Sequence, residues 1–184
     1  MSSSNSKNQK LIRSKIEYSG ETLSLRSDLI ELDSGIQVKR NIVEHPGSVV
    51  IIPKTKNGNI LMVSQWRHAI QQTLIELPAG HIDDGETPEE AGIRELQEEI
   101  GFKPEKLISL SEIWIAPGWC NEKIFSFLAL DLIPSQLEPD QDENIKILEF
   151  EPLKIYEMII DKEIVDSKTI STFMIFYKNE LKLE

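Results

Sequence analysis

Residues 80–102 read Gly-His-Ile-Asp-Asp-Gly-Glu-Thr-Pro-Glu-Glu-Ala-Gly-Ile-Arg-Glu-Leu-Gln-Glu-Glu-Ile-Gly-Phe and predict a loop that leads into a helix. Thr87 is a candidate N-cap, Pro88 suits the first helical position, and Glu90 completes a capping box with Thr87. Gly101 favours the position just after a helix ends. Both ends of the helix are therefore marked in the sequence itself.

Three apolar residues recur at helical spacing, within about 60° of each other, and predict the core face of this helix: Ile93, Leu96 and Ile100. Three glutamates are expected on the other side: Glu95, Glu98 and Glu99. Arg94 can pair with Glu98 at i,i+4, which leaves Glu95 and Glu99 to face a shared ion.

The acidic face has two interpretations. Like charges three and four residues apart on a helix repel by a few tenths of a kcal/mol per pair, and a divalent cation would turn that repulsion into coordination. The alternative is an ordinary solvated acidic face. The preceding loop favours the first interpretation, because Gly80 and Gly85 allow main-chain oxygens to approach a ligand closely.

The segment resembles the Nudix box: Gly80, five residues, Glu86, seven residues, then Arg94-Glu95-Leu96-Gln97-Glu98-Glu99-Ile100-Gly101-Phe102. The resemblance implies a diphosphate hydrolase that acts on a nucleoside diphosphate linked to another group, with Mg²⁺ or Mn²⁺ as cofactor. Position by position, it implies that Glu95 and Glu99 are metal ligands and that Glu98 is a ligand or the structural partner of Arg94. It also implies that the Ala79 carbonyl coordinates metal, and it gives Gly80, Glu86 and Gly101 an architectural role.

The composition excludes several other functions. A net charge of −11 disfavours non-specific nucleic-acid binding, which depends on Lys and Arg. No apolar run approaches the ~18 residues of a membrane span. Residues 1–10 lack the apolar centre of a signal peptide. They are expected to be a disordered tail. The single Cys120 fits a reducing cytoplasm, which is the expected location, and is interpreted as a packing residue.

The rest of the chain predicts an α/β fold. Strands are predicted at 15–18, 23–30, 36–44, 49–53, 60–65, 73–77, 107–115, 123–132 and 145–149. Asn57-Gly58 predicts a hairpin that pairs 49–53 with 60–65. Helices are predicted at 152–160 and after Asp166. Together these elements predict a Nudix-type α/β/α sandwich with a mixed sheet, preceded by N-terminal antiparallel strands.

A likeness to the ADP-ribose pyrophosphatase branch of the Nudix hydrolases extends over most of residues 15–180. It rests on the N-terminal strands, His45-Pro46-Gly47, Gln65-Trp66-Arg67 and Glu76-Leu77-Pro78-Ala79-Gly80. Arg67 follows an apolar strand and could aim its guanidinium at a diphosphate, although a surface arginine is the plain alternative. The likeness implies that Arg67 contacts the phosphates.

Residues 116–122, Ala-Pro-Gly-Trp-Cys-Asn-Glu, also fit this branch. Pro117 lies 16 residues after Gly101 and resembles the branch's ADP-ribose marker, although Pro117-Gly118 could equally be an ordinary turn. Trp119 could stack on a base. Glu122 sits where related enzymes place a carboxylate near the ribose, so these four residues are the expected substrate contacts.

An acidic loop at 138–143 precedes the strand at 145–149 and could be merely a charged surface loop. By resemblance, Glu143 is expected to be a further metal ligand and a catalytic residue, alongside Glu98 and Glu99. The family's base aligns with Gln141, which cannot usefully accept a proton, and a shift of one residue offers Asp140 or Asp142. The base therefore stays unassigned.

The resulting prediction is an enzyme with three parts: a tail at 1–10, a β-strand dimerisation region at 11–45 and a hydrolase domain at 46–184. The expected reaction splits ADP-ribose or a related nucleoside diphosphate sugar into AMP (NMP) and ribose 5-phosphate (sugar phosphate). The alternatives are a hydrolase of another nucleotide sugar such as GDP-mannose and, in a different class, a non-catalytic nucleotide-sugar sensor. The branch implies a homodimer, with no nucleic-acid or membrane partner.

Overall fold

The computed structural model describes residues 9–138 and 145–181. The chain divides into two compact units. One is Met1–Pro46 with Trp114–Glu122, and the other is Gly47–Ile113 with Lys123–Glu184. The domain limits expected from the sequence stay predictions. Within the described residues, no helix is long and apolar enough to cross a membrane.

The first unit is built on an antiparallel sheet of three strands, β1 (Gln9–Ser19), β2 (Ser24–Leu32) and β3 (Gln37–Glu44), in that order. β1 begins well before the predicted residue 15. The segment 114–122 joins this unit through β3. The Val43 amide donates to the Trp119 carbonyl at 2.8 Å, and the Asn121 amide donates to the Val43 carbonyl at 3.1 Å.

The second unit contains two sheets. Its strands are β4 (Ser48–Pro53), β5 (Ile60–Arg67), β6 (Gln72–Glu76), β7 (Ala79–His81), β8 (Phe102–Trp114), β9 (Lys123–Pro134) and β10 (Lys146–Phe150). One sheet has the order β7-β4-β9-β8 and is mixed, because β4 runs parallel to β9 and antiparallel to β7. The other has the order β10-β5-β6 and is antiparallel.

The predicted pairing of 49–53 with 60–65 is wrong, although the predicted turn forms. Gly58 has a φ of +89°, and the Thr55 amide donates to the Asn59 carbonyl at 2.8 Å. Beyond that turn the two strands separate into different sheets. Every residue of β4 is buried, which is the pattern of a strand covered on both faces and paired on both edges.

Three helices lie in the described part of the chain: α1 (Pro88–Glu99), α2 (Pro152–Ile160) and α3 (Ser167–Leu181). α1 packs on β4 and β7, whereas α3 packs on β4 and β9. The core on the α1 side comes from β4, β5, β9 and α1: Val49, Ile51, Leu61, Val63, Ala91, Leu96, Ile100, Phe127 and Ala129. The predicted α/β class, with its mixed sheet and N-terminal antiparallel strands, is confirmed.

Candidate active site

The start of α1 forms as its local sequence predicts. The Glu90 amide donates to Thr87 Oγ1 at 3.3 Å, the Thr87 amide donates to Glu90 Oε2 at 2.8 Å, and Pro88 occupies the first turn. After the helix, Gly101 has a φ of +74°, the left-handed region in which glycine is favoured. Both ends of α1 therefore form as the sequence predicts.

Two of the three glutamates on the acidic face of α1 are buried. Glu95 and Glu99 are each only 7% exposed, while Ile93, which was expected in the core, is only partly buried. The cause is β7, which packs against this side of the helix. The Ala79 amide donates to Glu99 Oε2 at 3.1 Å. Glu95 and Glu99 are thus buried by the strand that the glycine segment contributes, outside the core cluster that holds Leu96 and Ile100, and helical spacing alone did not predict this cover.

Gly80 lies against the carboxylate of Glu95. A Cβ at residue 80 would fall 1.9 Å from Glu95 Oε1, far inside van der Waals contact. Gly80 is part of β7 and pairs with Val49, rather than belonging to an open loop. The glycine thus leaves the space that the Glu95 carboxylate occupies, which the sequence alone did not indicate.

Arg94 connects the loop to the helix. Its Nε and Nη2 donate to the two carboxylate oxygens of Glu86, both at 3.0 Å, and Nη2 also donates to the His81 carbonyl at 2.9 Å. Its Nη1 donates to Glu95 Oε1 at 2.7 Å and to Glu98 Oε2 at 2.9 Å. The predicted Arg94–Glu98 pair is present, but Glu95 shares the same guanidinium.

These contacts shift the pKa values of both partners. The hydrogen bonds to Glu86 raise the pKa of Arg94 far above its ordinary value, against the opposing effect of burial. The same hydrogen bonds lower the pKa of Glu86. Arg94 therefore stays cationic and Glu86 anionic across the physiological range, so the contacts persist as charge-assisted hydrogen bonds.

Replacing Arg94 with lysine is expected to lower the free energy of unfolding by about 2 kcal/mol, because an ammonium group cannot reproduce a planar fork that binds Glu86 with two nitrogens. Urea denaturation of the wild type and Arg94→Lys measures the change. Lys106→Arg, at an exposed position of β8 outside the N-terminal sheet, is the control and should stay within about 0.5 kcal/mol of the wild type. Equal losses in both variants would contradict the role given to Arg94.

Arg67 lies at the end of β5 and pairs with Glu76 at the end of β6. Its Nε donates to Glu76 Oε1 at 2.8 Å and its Nη2 to Glu76 Oε2 at 2.7 Å. Lys168, in the first turn of α3, binds the same Oε2. Burial alone would raise the pKa of Glu76, but the hydrogen bonds and charges of Arg67 and Lys168 outweigh it and lower that pKa.

The charge of one α1 glutamate, Glu99, reaches Arg67. The hydrogen bond to Glu76 is the main cause of the raised pKa of Arg67, and the charges of Glu99 and Asp166 raise it further. The Leu77 amide, one residue beyond Glu76, donates to the buried Thr169 Oγ1 at 2.9 Å. The start of α3 therefore anchors the chain just before Pro78 and β7.

Replacing Glu76 with glutamine is expected to reduce stability by about 2 kcal/mol at neutral pH. This is less than the loss for a fully buried pair, because the Arg67 side chain is 36% exposed. Since the folded-state pKa of Glu76 lies below its ordinary 4.5, its contribution is complete above pH 4.5 and is lost as pH falls through the folded value.

The difference in unfolding free energy between wild type and Glu76→Gln should therefore shrink as pH is lowered below 4.5. Denaturant titrations at a series of pH values measure it. Glu105→Gln, at an exposed strand position, should show no such gap at any pH. A difference in unfolding free energy that grew as the pH fell would contradict the lowered pKa assigned to Glu76.

The residues of the 114–122 segment belong to the first unit. Pro117, Gly118 and Trp119 line a concavity of about 420 Å³. The other residues that line it are Gln9, Arg26, Arg40, Ile42, Cys120 and Asn121. Trp119 is 58% exposed, and Glu122 is half-buried. Cys120 is buried, in keeping with a packing role.

The structure brings some of the predicted residues together. Ala79, Glu95 and Glu99 meet where β7 packs on α1, Glu98 is held by Arg94, and Arg67 is coupled electrostatically to Glu99. Among residues 9–138 and 145–181, no group of three His, Cys, Asp or Glu side chains is already arranged around a metal position. Glu143, with Gln141, Asp140 and Asp142, lies outside the described residues.

Sequence reasoning missed Lys168 and the roles of Glu76 and Thr169. One local signal was available. A lysine in the first turn of a helix opposes the helix dipole, which favours acidic residues there. In the structure the ammonium group of Lys168 is compensated by the buried carboxylate of Glu76, a partner that this local signal did not identify.

Known proteins share both the sequence and the fold. Residues 44–173 match the model of the NUDIX domain. The chain is 34% identical over 163 residues to the ADP-ribose pyrophosphatase of Bacillus subtilis (strain 168), covering 88% of each chain. It is 39% identical over 122 residues to the ADP-ribose pyrophosphatase of Mycobacterium tuberculosis, covering 66% of this chain and 59% of that one.

The crystal structure of an ADP compounds hydrolase superposes with a TM-score of 0.83 over 93% of both chains at 20% sequence identity, which establishes likeness of fold. The family match covers most of the chain, and it includes the capped helix and the glutamates that β7 covers. The resemblance read from residues 80–102 is thereby confirmed, and the chain belongs to the Nudix family as a Nudix hydrolase.

Proposed function

We propose that this Nudix hydrolase splits the diphosphate bond of ADP-ribose or a related nucleoside diphosphate sugar, giving AMP (NMP) and ribose 5-phosphate (sugar phosphate). The observation that carries the proposal is the burial of Glu95 and Glu99 against β7, beside Gly80. Buried carboxylates are costly unless they are compensated, and catalytic sites are where such groups are retained. The names of the two pyrophosphatase relatives support ADP-ribose as substrate.

The residues of this site fit a hard divalent cation, Mg²⁺ or Mn²⁺. The donors are carboxylate and carbonyl oxygens, which such cations prefer. Arg94 contacts three carboxylates, so the single guanidinium leaves the cluster with net negative charge. Glu95, Glu99 and the Ala79 carbonyl would hold the metal, with Glu98 and Glu143 as further candidates. The cation would neutralise charge on the diphosphate and lower the pKa of a bound water.

The other proposed roles belong to residues around this cluster. Arg67 would orient the phosphates, because Glu76 occupies its Nε and Nη2 and leaves the Nη1 hydrogens for a further acceptor. Glu98 would act mainly by fixing Arg94, to which it is bound. A carboxylate of residues 138–143 would take the proton from water. Asp140 and Asp142 stay open as the base, and Glu143 is proposed as a catalytic residue and metal ligand.

We propose that Pro117, Gly118, Trp119 and Glu122 contact the nucleoside or the ribose. Trp119 supports this role because its exposed ring offers a face on which a base can stack. Arg40, which lines the same concavity, adds positive charge suited to an anionic ligand, whereas the charge of the neighbouring Arg26 is balanced by its ion pairs with Asp28 and Glu44.

A panel of substrates tests the proposed function. The pure protein with Mg²⁺ is incubated with ADP-ribose, GDP-mannose and a UDP-sugar, and the released nucleoside monophosphate is measured. ADP-ribose is expected to give the highest kcat/KM, with activity abolished by EDTA and restored by Mg²⁺. A higher kcat/KM for GDP-mannose would make GDP-mannose the substrate in place of ADP-ribose. Release of no nucleoside monophosphate from any of the three compounds would overturn the proposal.

We further propose that the protein is a homodimer formed through its N-terminal sheet. All eleven residues of β1 are exposed, including Leu11, Ile16 and Tyr18, each more than half exposed. Apolar side chains on a long edge strand favour association with another chain. Sedimentation equilibrium should give twice the chain mass of 21.0 kDa, and a monomer at all concentrations would contradict the proposal.

A further inference from the structure

Glu76 is a buried carboxylate that two cations hold at once. It is 1% exposed, and Arg67 and Lys168 both bind its Oε2. Lys168 belongs to α3, near the end of the chain, whereas Arg67 belongs to β5. Because a buried carboxylate is stable as an anion only when its oxygens are satisfied, removing either cation changes how the other one binds.

Lys168 is itself held in one position. Its Nζ lies 3.0 Å from Asp166 Oδ2, and its side chain is only 16% exposed. Asp166 in turn caps α3, since the Thr169 amide donates to its Oδ2 at 2.9 Å. The position of the Lys168 ammonium group is therefore fixed by the helix start, despite the unfavourable dipole there. A mobile surface lysine would show neither this burial nor these contacts.

We propose that Lys168 is a positioning residue for Arg67: by binding Glu76 Oε2 it fixes the plane of that carboxylate, which orients the guanidinium toward the substrate's diphosphate. The inference rests on the proposed function for its substrate. A guanidinium group that binds a carboxylate through two nitrogens must rotate with that carboxylate, because both hydrogen bonds lie in one plane. Glu76 accepts from Nε and Nη2 of Arg67. The direction of the remaining Arg67 N–H groups is then set by Lys168 of α3, through the carboxylate of Glu76, and not by Arg67 alone.

The test is a double-mutant cycle on KM and kcat for ADP-ribose. Lys168→Met is expected to raise KM about tenfold with kcat within about twofold, because an interaction lost equally from ground and transition states changes KM alone. Lys168→Arg, which keeps the charge, should return KM to within about threefold of the wild type. In an Arg67→Ala background, Lys168→Met should raise KM no further.

Several results would overturn the inference. One is an equal rise in KM with and without Arg67, which would show that Lys168 acts independently of it. Another is a loss of thermal stability with KM unchanged, which would make the role purely structural. If Lys168→Met does not fold, Lys168→Gln takes its place in the cycle and is judged by the same outcomes.

A second readout separates this inference from the proposed function. A wild type that hydrolyses no nucleotide sugar would overturn the proposed function alone. The Nε–H signal of Arg67 in a ¹H–¹⁵N spectrum, assigned by its loss in Arg67→Ala, then decides the positioning role. Faster solvent exchange of that signal in Lys168→Met supports the role, and an unchanged exchange rate overturns it.

Discussion

Replacing Glu99 with glutamine is expected to lower kcat for ADP-ribose by about 10²–10³-fold, the range seen when one group that stabilises charge in a transition state is removed. The carboxylate of Glu99 is buried and accepts the Ala79 amide, a hydrogen bond that the glutamine carbonyl oxygen can still accept. The substitution therefore removes the charge and little of the packing. Initial rates with Mg²⁺ measure the effect, together with the melting temperature.

Glu89→Gln is the matched control, because Glu89 is an exposed acid in the first turn of the same helix. It should retain wild-type kcat. A Glu99→Gln protein that still turned over ADP-ribose at the wild-type rate would remove Glu99 from the catalytic set. Ligand binding without turnover in the wild type would instead favour the nucleotide-sugar sensor, whose affinity need not depend on this carboxylate.

Gly80→Ala is expected to be the most damaging substitution that adds a single methyl group. The new Cβ would lie 1.9 Å from Glu95 Oε1, so either the carboxylate or β7 must move. Overpacking of this kind costs about 1–3 kcal/mol of stability. Displacement of the carboxylate should also lower kcat by about 10²-fold, the effect of roughly 1 Å of misplacement at a catalytic site. Denaturant unfolding and initial rates measure the two effects.

Gly92→Ala supplies the contrast for this prediction. Gly92 is also buried, in the middle of α1, but a Cβ there would meet Ile51 Cγ1 at 3.6 Å, which is ordinary contact. Alanine favours a helix by about 1 kcal/mol over glycine, so this variant should be at least as stable as the wild type. If both alanine variants unfolded at the same denaturant concentration, the predicted steric clash between a Cβ at residue 80 and Glu95 would be contradicted.

The local features of the site could be predicted from the sequence. The capping box of Thr87 and Glu90 and the glycine stop at 101 depend on residues within one turn of each other, so their geometry follows from the local pattern. The Arg94–Glu98 pair likewise needs only helical spacing. Predictions of this kind did not require knowledge of where the helix packs.

The errors came from contacts between distant parts of the chain. Glu95 and Glu99 are buried because β7 covers them, and helical periodicity cannot reveal which element lies opposite. The turn at Asn57-Gly58 was correct, but the partners of β4 and β5 were decided by strands far away in the sequence. Lys168 could not be linked to Glu76 for the same reason, since 92 residues separate them.

The arrangement of β4 has a consequence for how the protein reaches its native state. Val49 of β4 pairs in parallel with Phe125 of β9. The long stretch of chain between them must therefore be brought into place before β4, the most apolar strand, can pair with β9. Closing such non-local pairings is slow, and a largely apolar strand that waits for its partner is prone to aggregate. Yield on refolding should therefore fall steeply with protein concentration, and mild denaturant that keeps β4 from self-association should recover it.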